Sequence, residues 1–591
     1  MRNRNFILNI LFFVILISVI LYRAVDRIWI TEDAFISFKH IDNYFAGNGL
    51  SFNKWNRLEC FTHPLWVFLI LFVKFFTSLA HFQIAVVLGI LFSVLSQAVL
   101  FYYFMKKYTM QKLHLFLLPS VYAMHLGFID FTTSGLENSL TYFLLVLFYI
   151  QVLDRKKFFY PGISAVLGLL YLVRPEFILF AVYYSFIYVL SALKNRLGIR
   201  AFILFFIPLA FFVGGYHIFR YFYYNDIFPM SYYAKAGGEV NISDGIFYLQ
   251  HTLKYTPYLG ILLVSFAVLY IRSSVSEKSF DWILFRDIVG IFIAGGYVIK
   301  MGGDFMAFRL LLPSVFMFLL LFEDRLHEEW SFSEKTVLGL NVLLILSVVY
   351  YSSYKGEPRT GSEWLNAFLK RNLPRTEVPF VKGTVADERK AYYGELNQDL
   401  KSRFSEIKYK WYTEGTKYRK LQECLNFEPM IISNSLTRAK CADGFGLGYF
   451  AVAAGPNVDV ADELGFTHKN VLPRTKEEEP RPGHLKVMEL AEVIRTGSMF
   501  CSLDDKRYDS IFKTKYGIII RPELKILASF GSEEYRKKVR KLKRLYSEVS
   551  KSRKKEDILL FQRLQLIEKT DRFSILSLPD RISSEKKNCW D

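Results

Sequence analysis

The feature that most constrains this chain is its repeated apolar runs, each long enough, or nearly so, to cross a hydrocarbon layer of ~30 Å, which takes about 20 helical residues. They stand near 6–22, 83–105, 114–130, 137–153, 158–173, 176–193, 201–218, 254–271, 288–300, 310–322 and 336–352, about eleven in all. Lipid offers no hydrogen-bond partner to a backbone, so such runs fold as helices packed against one another. The 591 residues are 52% hydrophobic and 17% aromatic, with a mean hydropathy of +0.21, more than a soluble domain carries. The expected fold class is therefore a polytopic α-helical membrane protein over residues 1–352. The remainder, 353–591, is polar and mixed in pattern, with helical stretches at 361–372, 386–405 and 532–555 and short apolar runs between Gly444 and Val460. It reads as a soluble α/β domain outside the membrane.

The net charge of +19 would point to nucleic acid in a soluble chain. In this one Lys and Arg gather in short inter-span loops and a C-terminal tail, where membrane orientation and lipid headgroups account for them, and no nucleic-acid partner is expected. Arg2 and Arg4 precede the run 6–22 without a small-residue cleavage site after it, as in a retained signal anchor. The positive-inside rule then places the N-terminus, Lys106-Lys107, 154–157, 194–200, 272–278 and 323–335 in the cytoplasm. Alternation requires 64–79, which begins at Pro64 and contains Lys74, to be a re-entrant or interfacial helix. The outer side holds 23–63, 131–138, 174–176, 219–253, 302–309 and all of 353–591. The five cysteines (Cys60, Cys424, Cys441, Cys501, Cys589) are odd in number and match no zinc spacing; a Cys424–Cys441 disulfide stays open.

In the first outer loop, Thr31-Glu32-Asp33 precedes Phe35, Phe38, Ile41 and Phe45, whose spacing makes one apolar stripe of a short helix lying flat on the bilayer and ended by Gly47 and Gly49. Carboxylates at a helix N-terminus can simply cap backbone amides, so this motif alone is as compatible with capping as with chemistry. The same side carries the acids Glu137, Glu176 and Asp304, the cations Arg174, Arg220, Lys235, Lys300 and Arg309, and the tyrosines Tyr223, Tyr224, Tyr232 and Tyr233. Arg174 and Glu176 sit at span ends, where snorkelling and capping are ordinary. Asp304 and Arg309 could be a structural ion pair, and the tyrosines interface aromatics. Lys300, placed deepest, would be costly in lipid without a function. His63, His217, His468 and His484 read as structural, Gly444–Gly448 as turns without a phosphate-loop fingerprint, and Tyr535–Lys555 as a solvated helix face.

A longer pattern shifts that balance. Glu32-Asp33-Ala34-Phe35-Ile36-Ser37-Phe38, then Gly47-Asn48-Gly49-Leu50-Ser51-Phe52-Asn53, then Glu59-Cys60-Phe61-Thr62-His63-Pro64-Leu65-Trp66 resembles the first-loop signature of GT-C glycosyltransferases, in the branch of the mycobacterial terminal arabinofuranosyltransferases and related bacterial membrane proteins. Thr133-Ser134-Gly135-Leu136-Glu137, Arg174-Pro175-Glu176 and Gly302-Gly303-Asp304-Phe305-Met306, with Arg309 and Pro313 after it, fit the same branch. So do Gly455-Pro456-Asn457-Val458-Asp459-Val460 through Thr467, and Arg481-Pro482-Gly483-His484. The resemblance covers most of 1–490. The chain departs from it in having Glu32 where the family has a first aspartate, and His63 before the proline.

The resemblance implies a membrane enzyme of the bacterial cytoplasmic (inner) membrane that takes a sugar from a polyprenyl-phosphate donor and hands it to a glycan, glycolipid or protein acceptor on the extracytoplasmic face. Asp33 is then the catalytic carboxylate and base, with Glu32 in a supporting or metal-binding role. Glu137, Glu176 and Asp304 are further acids, Lys300, Arg309, Arg174, Arg220, Lys235 and His63 phosphate partners, and Tyr232 and Tyr233, with Tyr223 and Tyr224, a wall for sugar or lipid. No cofactor is assigned by the resemblance; a divalent cation stays open. Two other classes compete: a transporter or flippase of lipid-linked saccharide, which would show paired broken-helix repeats that the sequence lacks, and a non-catalytic scaffold of a polysaccharide-export complex, in which Glu32-Asp33 only caps a helix.

Overall fold

The computed structural model describes residues 2–54, 57–108, 112–153, 160–235, 242–276, 281–329 and 333–353, and parts of 385–419, 430–487 and 544–551. Helices dominate: α1 Arg2–Asp26, α2 Glu32–Phe45, α3 Pro64–Phe75, α4 His81–Lys107, α5 Leu117–Met124, α6 Leu126–Thr133, α7 Asn138–Leu153, α8 Tyr160–Val173, α9 Phe177–Lys194, α10 Ile199–Leu209, α11 Gly215–Tyr224, α12 Met230–Lys235, α13 Ile242–Tyr255, α14 Pro257–Ser276, α15 Trp282–Lys300, α16 Leu312–Glu329 and α17 Glu334–Ser353. A π-helical segment, Ala210–Gly214, joins α10 to α11. Farther on lie the helices Glu388–Tyr393 and Leu447–Ala454 and the strands β1 Met430–Ser433, β2 Asp459–Asp462, β3 Thr475–Arg481 and β4 His484–Val487. β1 and β2 pair in parallel around the 447–454 helix, and β3 and β4 pair antiparallel.

Five helical stretches among the described residues are long and apolar enough to cross a membrane: 4–26, 81–107, 177–194, 199–224 and 282–300. A sixth forms if α6 and α7, which meet at 112°, make one broken span. The chain is thus a multi-pass helical membrane protein. Helices stand at the other expected span positions, α14 and α17 each 20 residues long. At 12 residues, α3 covers only about 18 Å, less than the hydrocarbon layer.

The run 114–130 departs furthest from its expected single span. It is two eight-residue helices broken at His125, whose ring accepts the Gly127 N–H at 2.9 Å. The unwound backbone before it is satisfied by side chains from distant helices: Asn9 bonds Lys112 O and His114 N, each at 2.9 Å. Asn341 bonds His114 O at 2.6 Å and Phe116 N at 3.0 Å, and Glu323 accepts from Leu118 N at 2.8 Å. Irregular backbone at membrane depth persists only where protein groups satisfy it in this way.

α2 also differs from its expected pose. Instead of lying on the bilayer by one apolar stripe, it buries Ala34, Phe35, Ser37, Phe38, Lys39, His40, Ile41 and Asn43, residues spread around the helix. The cause is the C-terminal region, whose 447–454 helix packs along α2. Phe35 and Tyr449 rings lie 4.5 Å apart, Tyr449 reaches Tyr392 at 5.4 Å, and Tyr392 stacks on Trp29 at 6.5 Å. Val385, Tyr392, Ile407 and Tyr449 of the C-terminal region therefore share one core with the first loop. The helix expected at 361–372, most of that at 532–555, the Cys424–Cys441 pair and His468 lie outside the described residues, as do the side chains of Lys235 and His484.

Candidate functional site

Five separate stretches of sequence meet beside the N-terminus of α2. Thr31 N bonds Ser134 O at 2.9 Å and Trp66 Nε1 bonds Gly135 O at 2.8 Å, which fixes the 134–137 turn against the first loop and brings Glu137 under it. His63 is the N-cap residue of α3. Arg174 and Glu176 lie in the turn between α8 and α9. Asp304 and Arg309 lie in the loop after α15, which is held by the Tyr248 hydroxyl: it donates to Met306 O at 3.0 Å and accepts from Leu310 N at 3.2 Å.

The charges form one connected set. Arg174 bonds Glu137 Oε1 through Nη1 and Glu176 Oε1 through Nε, each at 2.5 Å. Arg309 lies 3.3 Å from Asp33 Oδ2, 3.5 Å from Asp304 Oδ2 and 3.7 Å from Glu137 Oε1. His63 Nδ1 faces Glu137 Oε2 at 3.3 Å, and its Nε2 bonds Ser37 Oγ at 2.8 Å. Glu137, His63, Asp304, Arg174 and Arg309 are buried, whereas the side chains of Asp33 and Glu176 keep 27% and 23% of their exposure. Those two carboxylates are the outward-facing members of an otherwise closed cluster.

Burial favours neutral His63, and its pKa falls although Glu137 pulls the other way. Burial by itself would raise Glu137, but His63, Arg174 and Arg309 outweigh it and hold the carboxyl down to about 2. Arg309 is pushed below its usual value by burial and above it, on balance, by Glu137, Asp304 and Asp33. Four carboxylates against two guanidiniums leave the cluster a formal charge of −2. Such a site can accept a proton at Asp33 and stabilise positive charge growing beside it; a departing anion needs further cations.

Seven of the expected residues thus come together: Asp33, His63, Glu137, Arg174, Glu176, Asp304 and Arg309. Others do not. Glu32 turns away from its neighbour, its Oε1 accepting the Gly448 N–H of the C-terminal helix, so the acid pair is split between two surfaces. Arg220 is not free for phosphate: it binds Glu59 through Nε at 2.5 Å and Nη2 at 3.1 Å, and Tyr216 OH donates to the same carboxylate at 2.6 Å. A buried ion pair of this kind spends both charges on each other. Tyr223 accepts from Leu50 N at 2.7 Å and Tyr224 donates to Leu50 O at 2.8 Å, which makes both clamps for the first loop. Tyr232 and Tyr233 are exposed, the latter donating to Asp226 at 2.6 Å. Lys300 is exposed at the last turn of α15 rather than buried in depth, and makes no ion pair among the described residues. His217 bonds Tyr171 at 2.6 Å.

Sequence reasoning passed over Ser37, Tyr248, Lys39 and Gly448. Ser37 could have been found, since four residues after Asp33 it shares a helix face with it; the rest are defined by partners far along the chain, Met306 and Leu310 for Tyr248, Ala451 for Lys39 and Glu32 for Gly448. No three His, Cys, Asp or Glu side chains among the described residues are disposed to hold a metal ion.

Fold and cluster together define a polytopic helical membrane protein with an acidic site, partly compensated by two arginines, at its helix ends. The chain is 26% identical over 329 residues to the terminal beta-(1->2)-arabinofuranosyltransferase of Mycobacterium tuberculosis, a match covering 50% of this chain and 52% of that protein. It is 28% identical over 333 residues to the protein of the same name from Corynebacterium glutamicum, covering 50% of this chain and 47% of the other. Both agree with the resemblance carried by the motifs, and the chain spans about half the length of the relatives it matches. No family model and no solved structure matches it.

Proposed function

We propose that this protein is a membrane glycosyltransferase that moves a sugar from a polyprenyl-phosphate donor to a cell-envelope glycan, glycolipid or surface-protein acceptor on the outer face of the cytoplasmic membrane. The observation that carries the reading is Asp33: a partly exposed carboxylate held 3.3 Å from Arg309 at the mouth of a buried cluster. In the reaction the acceptor hydroxyl gives its proton to the Asp33 carboxylate as its oxygen bonds the anomeric carbon. The bond from that carbon to the phosphate oxygen breaks, and the electron pair leaves with polyprenyl phosphate. The surplus negative charge of the cluster suits the oxocarbenium character that develops at the sugar, as paired carboxylates do in glycoside hydrolysis. Arg174 and Arg309 are largely spent on the carboxylates. Lys300, exposed four residues before Asp304 and in no ion pair among the described residues, is the cation we assign to the departing phosphate.

The experiment is sugar transfer by purified protein from lipid-linked donor. Asp33→Asn keeps the shape and the contact to Arg309 but removes the base, and transfer is expected to fall about a hundredfold or more. Transfer retained in the variant would sink the assignment.

A further inference from the structure

Glu32 and Lys39 lie seven residues apart on α2 and grip opposite ends of the 447–454 helix. Glu32 Oε1 accepts the Gly448 N–H at its first turn. Lys39, fully buried, donates to the carbonyls of Ala451 at 3.1 Å, Gly455 at 2.5 Å and Val458 at 3.2 Å, where that helix ends. A carboxylate at the N-terminus and an ammonium at the C-terminus both complement the helix dipole. Tyr449 OH adds a bond to Ile30 O at 2.6 Å. Asn53 closes the far side, accepting from Val460 N at 2.9 Å and donating to Val460 O at 3.1 Å. The approach is close enough that a Cβ added at Gly448 would stand 2.9 Å from Phe35 Cβ and 3.0 Å from Ile36 N.

We propose that Glu32 and Lys39 are positioning residues: by docking the 447–460 segment along α2 they fix the backbone that carries Asp33, so that this segment sets whether Asp33 is placed to react. The inference rests on the reading of Asp33 as the base. It departs from any direct role of Glu32 in chemistry or metal binding. The side chain that looks like half of a catalytic pair acts through a helix more than four hundred residues away.

The test pairs amide hydrogen exchange at 447–460 with transfer kinetics in the full-length protein. Glu32→Ala and Lys39→Met are expected to speed exchange in that segment about tenfold, the scale of a lost helix cap. They should lower kcat while leaving donor KM within about twofold, because the donor contacts are untouched. Glu32→Gln, whose amide oxygen still accepts from Gly448, should restore both readouts towards wild type, and Asp33→Asn should leave exchange unchanged while abolishing transfer. Unchanged exchange in Glu32→Ala and Lys39→Met overturns the proposal. So does a Glu32→Gln variant as inactive as Asp33→Asn with its exchange unaltered, which would return Glu32 to the chemistry. If wild type transfers no sugar the functional reading fails by itself, and exchange still decides the docking.

Discussion

Glu137 shows how one buried residue organises a site. Its carboxylate takes Arg174 on one oxygen and faces His63 with the other, with Arg309 alongside. Removing a partner from a buried ion pair leaves an uncompensated charge, so Glu137→Gln is expected to cost about 3–5 kcal/mol at neutral pH, read as a lower unfolding midpoint in detergent. The pH dependence has a definite sign. The folded carboxyl titrates at about 2, below its ordinary 4.5, so the stability of its ionised form is complete above the ordinary value and drains away as pH falls towards 2. The advantage of wild type over Glu137→Gln should shrink across that window; a gap that stays constant would show that Glu137 is not held ionised by its arginines. His63 extends the network to Ser37 at 2.8 Å.

At the scale of elements, α2 has two working faces. Asp33 and Ser37, one turn apart, look towards the buried cluster, while Glu32, Phe35 and Lys39 look towards the C-terminal helix. The loop after α15 is the second decisive element, because its backbone takes unusual conformations to deliver Arg309. Gly303 has φ +75° and Phe308 φ +71°, the latter a conformation that side-chain-bearing residues rarely adopt and that only surrounding contacts maintain. A Cβ on Gly303 would meet the Tyr248 ring 2.6 Å from its Cβ, the same ring whose hydroxyl pins the loop. Gly303→Ala is therefore expected to destabilise the protein by more than about 1 kcal/mol and to displace Arg309 from Asp33, with transfer falling in step; full activity at wild-type stability would contradict this account of the loop.

Across the whole molecule, the C-terminal segments that carry Tyr392, Tyr409 and Tyr449 pack into the membrane part rather than hanging from it as a tethered appendage. Trp29, Phe35, Tyr392, Tyr409 and Tyr449 form one aromatic cluster spanning the first loop and three C-terminal segments. Aromatic pairs of this kind contribute about 0.5–1.5 kcal/mol each beyond the area they bury. A chain ended after Ser353 would expose Trp29 and Phe35 and leave Lys39 without its carbonyl partners. Its first loop should become open to protease while the spans stay inserted, as read by limited digestion of membranes; a first loop as resistant as in the full chain would show that the loop holds its shape by itself.

Sequence alone determined the class of fold, because apolar length and loop charge are local properties that the bilayer reads directly. It also located most of the acids and cations that meet at the site, since their motifs recur as short patterns around Asp33, Glu137, Arg174 and Asp304. What only the tertiary structure decided is how those charges are shared. Arg220 and Arg174 look alike as sequence, yet one is consumed by Glu59 in a separate clamp and the other sits against Glu137 in the cluster. Glu32 and Asp33 are adjacent, yet successive helical residues point about 100° apart, and a helix from the far end of the chain takes the first while the buried cluster takes the second. Pairing across hundreds of residues depends on which faces the packed helices present to one another, and no local pattern encodes that choice.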